Sequence, residues 1–67
     1  MGLKVRFGYK RKLVNHLAIA KGELESALAL LRKRGVAGTE EAVHLVEDAL
    51  ELVTLALTEA EDAEVVR

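Results

Sequence analysis

The stretch "RKRGVAGTEE", residues 32–41, determines the fold that we predict for this chain of 67 residues. Three cations before Gly35 are typical of the last turn of a helix, where they offset the partial negative charge of the free carbonyls. Thr39 followed by two glutamates is typical of the start of the next helix. Because the chain contains no proline, this glycine-containing stretch is its strongest break. It predicts a short turn between helices at about residues 10–34 and 39–63.

Apolar residues recur with heptad spacing on both sides of this turn. One row consists of Leu13, Leu17, Ala20, Leu24, Ala27 and Leu31, and the other of Ala42, Val46, Ala49, Val53, Ala56 and Ala60. Spacings that alternate between three and four residues keep each row on one helix face, as in a coiled coil. In an antiparallel hairpin the two rows form layers whose residue numbers sum to 73, such as Leu24 with Ala49, and each layer pairs a large side chain with a small one. The sequence therefore predicts an all-α antiparallel helical hairpin.

A further apolar row lies beside this seam, where the e positions of the two heptads meet. We call it the interface row: Val14, Leu28, Val43, Leu50 and Leu57, interrupted by Lys21. On the opposite side, at the g positions, Leu30, Leu45 and Leu52 alternate with polar residues, and we call these three the leucine flank. The chain has no cysteine to form a disulfide, and 51% of its residues are hydrophobic. We therefore expect a second copy to pack on the interface row, giving a homodimeric four-helix bundle, with a tetramer as the alternative.

The segment "LKVRFGYKRK", residues 3–12, holds five basic residues and no acidic one. Residues 1–9 are predicted to form a basic extended arm or a short strand, with Gly8 as a hinge. The predicted nucleic-acid contacts are Lys4, Arg6, Lys10, Arg11 and Lys12, because cations bind the phosphate backbone. Phe7 and Tyr9 have two interpretations: they stack on unpaired bases, or they cover the end of the helical core.

The second half of the chain offers an alternative use for these cations. Residues 39–64 contain nine acidic residues and no Lys or Arg. Folding the hairpin brings Lys10, Arg11 and Lys12 beside the acidic residues of 59–64. It also brings the cations of residues 32–34 near Glu40 and Glu41. Neutralisation within the chain therefore explains three of the five basic residues, and it leaves Lys4 and Arg6 without a role.

Two known architectures share features with this pattern. The seam of alternating small and large residues resembles the Rop type of RNA-binding four-helix bundle, also a dimer of hairpins, although no sequence motif is shared. The alternation in "LKVRF" resembles the strand of ribbon-helix-helix repressors, and this resemblance implies Lys4 and Arg6 as readers of a DNA groove. Those repressors break between two short helices soon after the strand, whereas here the heptad seam continues through "KGELES", residues 21–26.

Signatures of catalysis are absent from the sequence. Glu41, His44 and Asp48 have helical spacing, but they lie opposite the seam and are expected to form a solvated polar face. His16 is expected to face Glu59. We predict no catalytic residue, no metal site and no cofactor, so the chain is not expected to be an enzyme. No apolar run is long enough for a membrane span or a signal peptide, and we expect a cytoplasmic protein.

Two functions remain open at this point. The first is a small homo-oligomeric protein that binds DNA or RNA through its basic N-terminal segment, as a regulator or accessory factor. The alternative is a structural or protein-binding assembly module with no nucleic-acid role, of designed or mobile-element origin. In that case the acidic second helix or the apolar flanks form the expected contact surface for a protein partner.

Overall fold

A computed structural model describes residues 2–33 and 37–66 of the chain. The elements are strand β1 (Lys4–Arg6), helix α1 (Phe7–Leu31), helix α2 (Glu40–Glu61) and strand β2 (Glu64–Val66). The helices pack side by side. Contacts of Lys10 with Ala63 and of Arg32 with Glu47 show that α2 runs back along α1. The predicted helical hairpin is therefore confirmed, and it forms a plate one helix thick, with extents of 52 × 20 × 10 Å.

Helix α1 is shifted by about one turn from its predicted position. It begins at Phe7, directly after the extended Arg6, so Gly8 lies in the first helical turn and is not a hinge. It ends at Leu31, where the Arg32 amide donates to the Leu28 carbonyl at 3.0 Å. The helix runs without a break through residues 21–26, unlike the paired short helices of ribbon-helix-helix repressors.

The start of α2 agrees with the prediction. Thr39 is its N-cap residue, and the Val43 amide donates to the Thr39 carbonyl at 2.8 Å. Gly38 has a φ of 70°, a left-handed conformation that glycine adopts without a steric cost. The predicted turn residues Arg34, Gly35 and Val36 lie outside the described residues.

A strand at the end of the described chain was not predicted. Helix α2 ends at Glu61, two residues before its predicted end, and β2 pairs in parallel with β1, with Val5 opposite Val65. The Glu64 amide also donates to the Leu3 carbonyl at 2.7 Å. The predicted all-α fold is thus corrected to a mostly helical fold with a two-stranded sheet. The sequence did not indicate β2, because a strand of three residues has too few positions to show alternation.

The hairpin covers its apolar residues only in part. Among the described residues, the buried apolar side chains are Leu28, Ala60 and Ala63, of which Ala60 is fully buried. The other seam residues are half-buried except Ala56, which is exposed, contrary to the prediction. On the same turn of α2, Leu57 is half-buried although it lies outside the seam. Burying a leucine side chain stabilises the fold more than burying a methyl group does.

Neither helix has the properties of a membrane span. Within residues 2–33 and 37–66, no helical segment combines the length and the apolar composition that a bilayer span requires.

We predict that Ala60→Leu destabilises the fold by about 1 to 3 kcal/mol, because a larger side chain does not fit at a fully buried contact. Ala56→Leu is the matched control, with the same change one helical turn away at an exposed position. It should alter the free energy of unfolding by less than about 0.5 kcal/mol. Thermal unfolding followed by circular dichroism at equal protein concentrations measures both, and equal melting temperatures would contradict the placement of Ala60.

Candidate functional site

The predicted nucleic-acid contacts lie on β1 and on the first turns of α1. Lys4 and Arg6 are exposed on either side of the half-buried Val5, so side chains alternate within β1, but the alternation ends where α1 begins at Phe7. Arg11 and Lys12 are exposed on α1. Because successive helical residues are about 100° apart, these two cations point in different directions and do not form one flat basic face.

Two of the five cations already have partners within the chain. Lys4 Nζ lies 4.0 Å from Glu64 Oε2, and Lys10 Nζ donates to the Ala63 carbonyl at 3.0 Å. Among the described residues, no carboxylate lies within 4.0 Å of a side-chain nitrogen of Arg6, Arg11 or Lys12. Lys10 thus lies beside residues 59–64, but it binds a carbonyl instead of a carboxylate, and the acid of this region that lies near a cation is Glu64, beside Lys4.

Near the turn, the ionic contacts also differ from the prediction. Arg32 donates to the Glu47 carboxylate instead of lying beside Glu40 or Glu41. His44 Nδ1 lies 3.6 Å from Glu47 Oε1, one helical turn away on α2. In the part of the chain that the structure describes, no three His, Cys, Asp or Glu side chains are grouped as metal ligands.

Two grooves flank the first turns of α1. The Phe7 groove has a volume of about 200 Å³ and is lined by Phe7, Lys10, Arg11, Val14, Asn15 and Val65. The Tyr9 groove has a volume of about 230 Å³ and is lined by Tyr9, Lys12, Leu13 and His16. The rings of Phe7 and Tyr9 are 62% and 68% exposed. They therefore do not cover the end of the helical core, which was one of the two interpretations of these residues.

The interface row is partly covered within a single chain. Leu28 is 9% exposed, and Val14, Val43, Leu50 and Leu57 are half-buried. A groove of about 340 Å³ opens on this side, lined by Leu28, Arg32, Glu47, Leu50, Glu51, Thr54 and Leu55. Leu28 and Leu50 of the row thus line a concave strip together with ionic side chains from α2 and the C-terminal end of α1.

The opposite side of the hairpin exposes more apolar surface than the sequence indicated. Leu30, Leu45 and Leu52 of the leucine flank are each more than half exposed, as are Ile19 and Leu55 on the outer helix faces. The heptad pattern identified these positions but did not show how far they project into solvent, because that depends on the rotation of each helix.

Comparisons with protein-family models, with curated proteins and with solved structures each gave no match. The proposals below therefore rest on geometry and charge.

We predict that Lys10→Met destabilises the fold by about 1 to 2 kcal/mol, because methionine keeps an apolar stem but leaves the Ala63 carbonyl without its charged donor. Lys12→Met, which removes the same charge at an exposed position, should change stability by less than about 0.5 kcal/mol. Denaturant unfolding measures both changes. Faster hydrogen exchange at the Glu64 amide should accompany Lys10→Met alone, and equal behaviour of the two variants would contradict this role of Lys10.

Proposed function

We propose that the protein is a self-assembling module in which two hairpins pack into a homodimeric four-helix bundle. The observation that carries this proposal is the nearly coreless plate, in which only Leu28, Ala60 and Ala63 are buried apolar side chains among the described residues. A chain of this size buries only about 60% of its unfolded surface even when it is compact. A second layer of helices supplies the missing core without a disulfide or a metal.

Although the leucine flank is more exposed, we assign the second copy to the interface row. Its five apolar residues extend along both helices, from Val14 near the strands to Leu28 and Val43 near the turn. Lys21 interrupts the row, but its side chain is half-buried, and its methylene groups can pack against apolar neighbours while the charge stays in water. The row borders a concave strip, which suits the insertion of leucine side chains from another helix.

Charge favours one arrangement of the two copies. Helix α2 carries seven acidic residues and no Lys or Arg, whereas α1 carries four basic and two acidic residues. Packing α2 against α2 of the second copy would oppose like charges. A two-fold arrangement that places α1 of each copy beside α2 of the other brings a basic helix next to an acidic helix at two contacts. These opposite charges favour this orientation of the two hairpins over the one that pairs α2 with α2.

Light scattering tests this proposal. We expect the parent chain to have the mass of a dimer, and a melting temperature that rises with protein concentration, because dilution favours the unfolded monomer. Leu50→Glu combined with Leu57→Glu should give a monomer, since it buries unpaired charge in the interface. The matched control is Leu45→Glu combined with Leu52→Glu, the same change on the leucine flank, and it should keep the dimer. A monomeric parent chain, or dissociation of the control alone, would contradict the proposal.

A second candidate function is nucleic-acid binding in a regulatory or accessory role. It is favoured by Arg6, Arg11 and Lys12, which are exposed and have no carboxylate within 4.0 Å among the described residues, beside the exposed rings of Phe7 and Tyr9. Cations that are not neutralised within the chain remain free to bind phosphate. Of the five predicted contacts, Lys4 and Lys10 are expected to contribute less because they already have partners.

The salt dependence of binding to DNA and RNA tests this second function. Neutralising about three phosphates predicts a slope of log K against log salt between about −2 and −3. Arg6→Gln combined with Arg11→Gln should bring the slope closer to zero by about 1.5 to 2. The control is Lys33→Gln, which removes a charge outside both the basic segment and the interface row and should leave the slope unchanged. Undetectable binding at low salt, or equal slopes for the double variant and the control, would contradict the assignment.

A further inference from the structure

We propose that the Tyr9 groove binds one unpaired nucleotide of a single-stranded nucleic acid, an inference that rests on the second candidate function above. The groove is lined by an aromatic ring, an ammonium group, an imidazole and a leucine, and no carboxylate lines it. These groups match the parts of a nucleotide, which presents a flat base, a negative phosphate and polar base edges.

Tyr9 supplies the surface on which a base stacks. Its side chain is 68% exposed in the first turns of a well-formed helix. Stacking a base on this ring would remove apolar surface from water without requiring a particular base, because each base has a π face. Leu13 is half-buried and forms the apolar floor of the groove.

Lys12 and His16 supply the polar contacts. Residues three and four apart lie on the same side of a helix, so Lys12 lies beside Tyr9, and His16 lies beside Lys12. Among the described residues, no carboxylate lies within 4.0 Å of the Lys12 ammonium. We therefore assign the phosphate contact to Lys12 and a hydrogen bond to the base edge or sugar to His16.

The Phe7 groove is the other candidate, and two observations disfavour it. Val14 lines it and also belongs to the interface row, so a second copy would cover this groove in the proposed dimer. Its lysine, Lys10, already donates to the Ala63 carbonyl. Tyr9 and His16 instead occupy the g positions of the heptad, on the opposite side of α1, where they stay accessible in the dimer.

The chemistry of the groove favours a nucleic acid over an acidic peptide. An acidic peptide needs cations spaced along its length, whereas Lys12 is the single Lys or Arg that lines this groove. An exposed aromatic ring beside one cation is the arrangement that proteins use to hold a base and its phosphate.

The chain carries its own probe for the test, because Tyr9 is its single tyrosine and it has no tryptophan. Titration of the parent chain with oligo(dT) and oligo(U) should quench the tyrosine fluorescence in proportion to binding. By anisotropy of labelled oligonucleotides, Tyr9→Leu should weaken binding about tenfold, whereas Tyr9→Phe should bind as the parent chain does. Comparison of oligo(U) with oligo(dU), which differ only in the ribose 2′-hydroxyl, shows whether that hydroxyl contributes.

Phe7→Leu is the matched control, an aromatic-to-leucine change at the other groove, and it should leave the affinity unchanged. Lys12→Gln should reduce the magnitude of the salt slope by about one. Equal affinities of the parent chain and Tyr9→Leu, with no quenching, would overturn the groove assignment while leaving phosphate binding by Arg6 and Arg11 intact. Weaker binding of Phe7→Leu alone would overturn it in favour of the Phe7 groove.

Binding of a polyglutamate peptide without binding of either oligonucleotide would overturn both this inference and the nucleic-acid function. The proposed dimer would be unaffected, because light scattering tests it separately.

Discussion

Two helices cannot enclose a core by themselves, and this geometric constraint governs the rest of the structure. Each helix has one helical neighbour, so most seam side chains keep part of their surface in water, and among the described seam residues only Ala60 is fully buried. On α2, Leu57 is half-buried whereas the neighbouring seam residue Ala56 is exposed. The same constraint is the physical reason for proposing a second layer, since a second hairpin covers one face of the plate.

Local patterns in the sequence predicted the hairpin, and long-range contacts explain what they missed. The heptad rows and the Gly38–Thr39 helix start involve neighbouring residues, so the two packed helices and the start of α2 could be predicted. The exposure of Ala56 beside a half-buried Leu57 could not be predicted, because apolar side chains occupy the e, a and d positions alike. Strand β2 was missed because its partner lies about sixty residues earlier in the chain.

The candidate sites, like the fold, combine features that the sequence predicts with contacts that it does not. The alternation around Val5 and the concentration of cations in residues 3–12 are visible in the sequence. Which cations remain available is not, because it depends on β2, which brings Glu64 to Lys4, and on Ala63, whose carbonyl binds Lys10. The exposure of Phe7 and Tyr9 follows from a helix that begins at Phe7, directly after the strand.

The pairing of β1 with β2 also has a consequence for the order of folding. The two strands are separated by nearly the whole described chain, so bringing them together costs more loop-closure entropy than closing the short turn between the helices. The hairpin is therefore expected to form first and the sheet last, and the sheet is expected to open first during native-state fluctuations. Opening the sheet releases Arg6 and its neighbours as a tether while both helices stay folded, so the reach of the basic segment can change without loss of the fold.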